Sequence, residues 1–319
     1  MRPMATSVQA TLVVAALATG PGCGGRAIQP TIPGPPTPAQ MAEFWVEPAD
    51  LASRDLYWGP GGRQNAPKAD GRWEFIARDN KALGYSPGFD VKDERGVTWS
   101  AKQGKEAQTE VVASRLMWAL GFHQPPTYYV KQWTLSGKAW AGPKDAARFR
   151  PELPSMKKAG NWSWHQCPFT GTPPWRGALV MMTMLNNSDL KETQNTIYDL
   201  DEAREGARRW YVMRDLGQSF GETAMLWADR NDIEKFEKEK FILGLREDGT
   251  VRFNYSGLWK ELFRNLRPED VRWTAERLAR LSDRQWEEAF RAADYPPELA
   301  QRFIRRFKAK IAEGLALSP

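Results

Sequence analysis

Strand-like and helix-like patterns are segregated along this chain, and that segregation constrains its fold more than any other feature. Residues 73 to about 140 carry short alternations of apolar and polar side chains, interrupted by one helical segment. Beyond Leu258 the spacing becomes helical, in "DVRWTAERLARL", "SDRQWEEAFRAA" and "PELAQRFIRRFKAKIAEGL". Strands gathered ahead of helices predict an α+β chain, with a β-rich part followed by a mostly helical one. At 319 residues there is enough chain for one large domain or two lobes.

In the first part, "WEFIARD" reads as a strand and "NKALGYSPGF" as a turn region with Gly84, Pro87 and Gly88. "FDVKD" and "VTWSAKQG" flank a short turn and predict a hairpin, with Lys102 near the end of its second strand. "KEAQTEVVASRLMWALG" follows with Val111, Val112, Arg115, Leu116, Ala119 and Leu120 at helical spacing, stopped by Gly121. "QPPTYYVKQWTL" returns to strand after Pro125-Pro126. Residues 44–140 form the expected N-terminal β-rich lobe. Residues 141–174, rich in Pro, Gly and Trp, read as an irregular connector, and 175–319 as the C-terminal helical lobe. There "WRGALVMMTML" is apolar all round and predicts a buried helix, and "NTIYDL" and "RRWYVMRD" are two strands that should pair antiparallel.

The N-terminus resembles an export signal. Arg2 precedes the apolar run "ATLVVAALA", which is too short to span a bilayer. Ala16-Leu17-Ala18 fits ordinary cleavage, while Cys23 would suit lipidation ahead of the Pro/Gly-rich tether at 24–43. An exported protein is expected, periplasmic, secreted or membrane-anchored through Cys23 as its mature N-terminus. Only Cys23 and Cys167 are present, so no disulfide framework holds the fold. The net charge of +6 is dispersed, without the dense basic stripe that tracks nucleic-acid phosphates.

One order of polar residues carries chemistry. Lys102 ends a strand and Glu110 lies early in the next helix, where the two could pair and hold a cation for phosphate oxygens. Asp189 and Asn195 follow the buried helix in "LNNSDLKETQNTIY", and Asp215 ends a strand before Leu216-Gly217. The strand pairing would bring Asp215 beside Asn195, an acid and an amide of the kind Mg²⁺ accepts, with Asp189 close by as a proton acceptor. Two carboxylates crowded there would repel unless a cation joined them.

In this order "DLKETQN" resembles the catalytic loop of protein kinases, and "DLG" their metal-binding Asp-Phe-Gly. "AKQG…TEVVASRLMWALGFHQPPTYYV" is similar to the Lys strand and following helix of the atypical protein-kinase-like superfamily. That superfamily includes HipA-like, CotH-like and phosphatidylinositol-kinase-like proteins. The whole chain also resembles a group of exported bacterial proteins. The resemblance covers about residues 73 to 225 and implies a two-lobed kinase-like fold that binds ATP and Mg²⁺ and transfers phosphate to an acceptor it does not identify. By the same resemblance Lys102 and Glu110 hold the nucleotide, and Gly84 and Gly88 stand in for a glycine-rich loop. Asp189 is then the catalytic base, Lys191 neutralises the transferred group, and Asn195 and Asp215 bind metal. The sequence departs from the family by an extra residue between Asp189 and Asn195, by Asn187-Ser188 in place of His-Arg, and by the sparse glycine loop. Those departures also fit a catalytically inactive scaffold in the cell envelope.

The two histidines read as structural. His123 follows a helix stop and suits C-terminal capping, and His165 with Cys167 is too small a set for a zinc site. Of the fifteen tryptophans, Trp73, Trp99, Trp118 and Trp133 suit the core, while Trp162 and Trp164 suit packing in the connector or the wall of a cleft. No H-E-x-x-H or G-x-S-x-G occurs, so metalloprotease and serine-hydrolase chemistry lacks its residues.

Overall fold

Alternation along the first strands decides where the sheet buries its side chains. On β3 (Thr98–Gln103) Trp99 and Ala101 are buried, while Thr98, Ser100 and Lys102 project to the other face. The computed structural model describes residues 34–68, 70–78, 87–137, 141–223 and 229–318. The export signal, Cys23 and Gly84 lie outside these residues.

A seven-stranded sheet collects β1 (Arg72–Arg78), β2 (Gly88–Lys92), β3, β4 (Tyr128–Val130), β5 (Trp133–Ser136), β6 (Gly142–Lys144) and β7 (Ala147–Pro151). Their order is β4-β7-β3-β2-β1-β5-β6, antiparallel throughout except where β5 runs parallel to β1. The sheet curls around an aromatic cluster in which Trp73 packs on Trp99 and Phe149, and Trp133 on Phe149. The predicted hairpin is β2–β3, with Val91 opposite Trp99.

Residues 141–174 are not the irregular connector their composition suggested. They contribute β6 and β7 to the large sheet, and β8 (Met156–Asn161) to a second one. In β7, "ARFRP", Phe149 enters the aromatic cluster while Arg148 and Arg150 take the opposite face, so the alternation is one of charge against a ring. Trp162 and Trp164 are buried in the main core.

Against β3, β4 and β7 of the large sheet runs α2 (Glu106–Ala119), buried nearly all round. Gly121 ends this segment at φ +96°, where any side chain would collide with the Val46 carbonyl. The helix α3 (Pro173–Leu185) starts with the Thr172 hydroxyl accepting from the Trp175 amide and two prolines in its first turn. It ends at Asn186 in the left-handed conformation. β9 (Asn195–Arg204) and β10 (Ala207–Met213) form the expected antiparallel pair, with Met213 opposite Asn195, and β8 joins β9 on its other edge.

The remaining elements are short α1 (Pro38–Met41), α4 (Ile233–Lys238), the β11 (Ile242–Leu245) and β12 (Val251–Phe253) hairpin, α5 (Pro268–Ala279), α6 (Asp283–Arg291) and α7 (Pro297–Leu315). Their apolar faces meet in one core with α2 and α3. Phe44, Leu51 and Leu56, upstream of the large sheet, belong to this helical core rather than to the sheet's own cluster. Glu47 clamps Arg277 at 2.7 Å, and Trp45 packs on Trp273, so the upstream segment is tied to α5. No described helix is long and apolar enough to cross a membrane.

Candidate functional site

The face of the large sheet turned away from its aromatic cluster is charged. Register places Lys102 opposite Arg148 and Ser100 opposite Arg150, so β3 and β7 present three cations side by side. Across from them the first turns of α2 present Glu106 and Glu110, four residues apart on one helix face.

The pairing differs from expectation by one helical turn. Lys102 Nζ lies 2.7 Å from Glu106 Oε2 and 2.6 Å from Asp215 Oδ1. Glu110 pairs instead with Arg148, 3.1 Å away, and with Arg150. Glu106 is further joined by Arg230. The physical reason lies in the strand: Arg148 and Arg150 occupy the space beside Glu110, and β7 had been assigned to the connector. Burial raises the carboxyl of Asp215, but the charge and hydrogen bond of Lys102, with Arg148 and Arg150, outweigh it and hold the group well below the usual range. Burial would lower the Lys102 ammonium, yet Asp215, Glu110 and Glu106 together raise it. Burial also opposes ionisation of Glu110, and the two arginines overcome it. Asp215, Lys102 and Glu110 are therefore ionised near neutral pH.

Asp215 sits where the chain turns, at φ +57°, a conformation Asp tolerates better than most residues. The next turn docks on α2: the Gly217 carbonyl accepts from the Thr109 hydroxyl at 2.6 Å. A Cβ at Gly217 would lie 2.6 Å from that of Glu106, so only glycine permits the approach.

The loop after α3 is braced from three sides. Asn186 donates to the Gly221 carbonyl, and Asn187 donates to the Ser219 hydroxyl while its side-chain oxygen accepts from the Asp189 amide. From beneath, Lys310 Nζ donates to the Met184 carbonyl and the Asn186 side-chain oxygen, each at 2.7 Å. Asp189 itself accepts from Gln194 at 2.8 Å and pairs with Lys191 at 2.9 Å. Gln194 therefore contacts Asp189, whereas Asn195 is buried and donates to the Trp162 carbonyl at 3.3 Å. The Arg214 amide donates to the Gln194 carbonyl, which ties this loop to the segment carrying Asp215. The two carboxylates do not stand as an unpaired like-charge couple: each has its own lysine.

Gly88 opens β2 opposite Lys102. His123 does not cap α2, the helix it follows: its ring is stacked on Trp210 and bridges Glu205 and the carbonyl of Ala42, at the C-terminal end of α1. His165 faces Glu261 at 3.0 Å, and Cys167 is buried against Thr170. Among the described residues no three His, Cys, Asp or Glu side chains gather to hold a metal.

The residues missed by sequence reasoning are Glu106, Arg148, Arg150, Arg214 and Gln194. Glu106 had a legible signal, being four residues from Lys102. The arginines had one too, in the charge-ring alternation of "ARFRP", but no local pattern shows that β7 inserts beside β3. Compared with protein-family models, curated proteins and solved structures, the chain finds no match in any of the three.

Proposed function

We propose that this chain is an exported, two-lobed kinase-like protein that binds ATP with Mg²⁺ and transfers phosphate to an acceptor. The observation that carries the reading is Lys102 Nζ held between Glu106 and Asp215, across 113 residues of sequence. A lysine fixed between a helix carboxylate and a turn carboxylate is positioned to neutralise phosphate oxygens. Glu106 takes the role first expected of Glu110. Asp189, oriented by Asn187 and Gln194, is the base, and Lys191 stands ready to offset charge on the transferred group.

The residues fit a metal that draws most of its ligands from water and nucleotide, as Mg²⁺ does. Asp215 supplies a partly exposed carboxylate, and Gln194 or Asn195 an amide oxygen from the adjoining strand start. Bound there, the ion would neutralise phosphate charge. One observation favours the second reading, an inactive scaffold of the cell envelope. The Asn195 side chain is buried with its amide nitrogen held by the Trp162 carbonyl, and Lys191 already pairs with the Asp189 carboxylate. The export signal and a lipid on Cys23 complete the proposal, and mass spectrometry of the mature N-terminus tests them.

Thermal shift with ATP and Mg²⁺ or Mn²⁺, followed by a phosphate-release assay, decides between the two readings. Metal-dependent stabilisation should appear in the parent and vanish in Lys102→Ala and Asp215→Asn. Turnover that also depends on Asp189 supports the kinase, and binding without turnover the scaffold. No nucleotide response in the parent would remove the kinase reading and leave the scaffold.

A further inference from the structure

A cavity of about 610 Å³ opens between the large sheet and the β8–β9–β10 sheet. Ser100 and Arg150 form one wall, and Lys157, Lys158, Tyr198 and Arg214 the other. Neither Lys102 nor Asp215 lines it. Glu152 is the single carboxylate of its lining.

Its inner charges do not balance. Arg148 and Arg150 share the one carboxylate of Glu110. Arg214 has only the Thr196 hydroxyl at 3.4 Å and the face of Tyr198, and among the described residues no carboxylate pairs with it. The Nε atoms of both Arg150 and Arg214 are buried without a hydrogen-bond partner. Of these three guanidinium groups, which share the one buried carboxylate of Glu110, Arg150 and Arg214 line the open volume. Burial, then repulsion from Arg150, pulls Arg214 down to about 10, so it is still a cation at neutral pH. Buried charges without counter-charge are costly, and a fold keeps such an excess where something else supplies the anion. At the rim, Lys157 is paired with Asp201 at 2.9 Å and Arg95 with Asp93 at 2.9 Å, so the rim is not the source of the imbalance.

We propose that this cavity binds a phosphate-bearing small molecule, with Arg150 and Arg214 as its anchors and the Tyr198 ring beneath its uncharged part. A phosphomonoester carries about two negative charges at pH 7 and can accept from both lining guanidinium groups at once. Its oxygens accept paired N–H donors from a guanidinium fork, a geometry ammonium groups do not offer. The site is independent of the nucleotide reading, because its anchors are different residues.

Titration calorimetry on the full chain with inorganic pyrophosphate and with glycerol phosphate, in the absence of divalent cations, tests it. Both ligands should bind, less tightly as salt rises. Arg214→Gln should weaken them about tenfold or more, the loss expected when a charged hydrogen bond is removed. Arg214→Lys, which keeps the charge but not the fork, should fall between, and circular dichroism confirms that each variant is folded. Lys102→Ala should retain phosphate binding even while losing any response to nucleotide with Mg²⁺. Pyrophosphate binding without glycerol phosphate binding would place free phosphate rather than an ester in the site, and still support the anchors. The proposal is overturned if neither ligand binds, if Arg214→Gln binds as the parent does, or if sulfate binds as tightly as the phosphates. It is equally overturned if Lys102→Ala weakens binding as much as Arg214→Gln, since one shared site would then explain both.

Discussion

The interface between α2 and the large sheet and the core of the helical region both bury large side chains, yet they are built from opposite materials. In the helical core Phe220, Phe236, Phe290, Phe303 and Phe307 pack ring against ring, with Trp286 on Phe307. At the α2 interface the contacts are Lys102, Glu106, Glu110, Arg148, Arg150 and Asp215. Rings contribute buried area and geometry-specific attraction with no desolvation penalty for charge. Ion pairs must first lose their water, and their mutual attraction roughly offsets that loss. The comparison assigns stability to the rings, whereas the charged layer adds little net stability to the fold.

The largest effect should come from the aromatic side. Phe307→Ala removes a ring touching four others and should cost about 4 kcal/mol of unfolding free energy, read from urea denaturation. A loss under about 1 kcal/mol would mean that the helical core is not the stabilising half.

Glu110→Gln should cost somewhat less, about 3 kcal/mol, because it leaves Arg148 and Arg150 buried without a counter-charge. Replacing Glu110, Arg148 and Arg150 together by Leu should recover most of that loss. Failure to recover would show that the charged layer stabilises the fold in its own right, and the contrast would break.

The effect smallest per step concerns a titratable group inside the helical core itself, where Lys310 is fully buried with its Nζ 4.2 Å from the Phe236 ring centre. Burial drives its pKa well below the ordinary 10.5. Between that lowered value and 10.5 the unfolded chain binds a proton that the folded chain does not, so stability rises with pH across this window. Urea midpoints at several pH values from 7 to 10 should climb in the parent relative to Lys310→Met, by at most about 1.4 kcal/mol per pH unit. Parallel profiles would place a charged ammonium in the core.

Asp215→Asn belongs with the charged layer rather than with repelling carboxylates. The sequence suggested that removing this charge would relieve a like-charge neighbour, but Asp215 faces Lys102 and Asp189 faces Lys191. The substitution therefore removes an attraction.

Periodicity and turn chemistry determined a good deal without help. The β2–β3 hairpin, the α2 helix with its stop at Gly121, the buried α3 and the β9–β10 pairing all follow from local spacing. So does the placement of Lys102, Asp189 and Asp215 at the ends of elements, because alternation and helix stops are properties of neighbouring residues. Tertiary structure decided the partners. Whether Lys102 meets Glu106 or Glu110 depends on β7 entering the sheet beside β3, a contact between residues more than forty positions apart. "ARFRP", short and set between Gly142-Pro143 and Pro154, carries too little periodicity to announce an interior strand. Asn195 likewise had the right type and place, but the Trp162 carbonyl that takes its amide comes from another segment. Local sequence sets the conformation of a segment, whereas the partner of a buried charge is set by which distant segment packs against it.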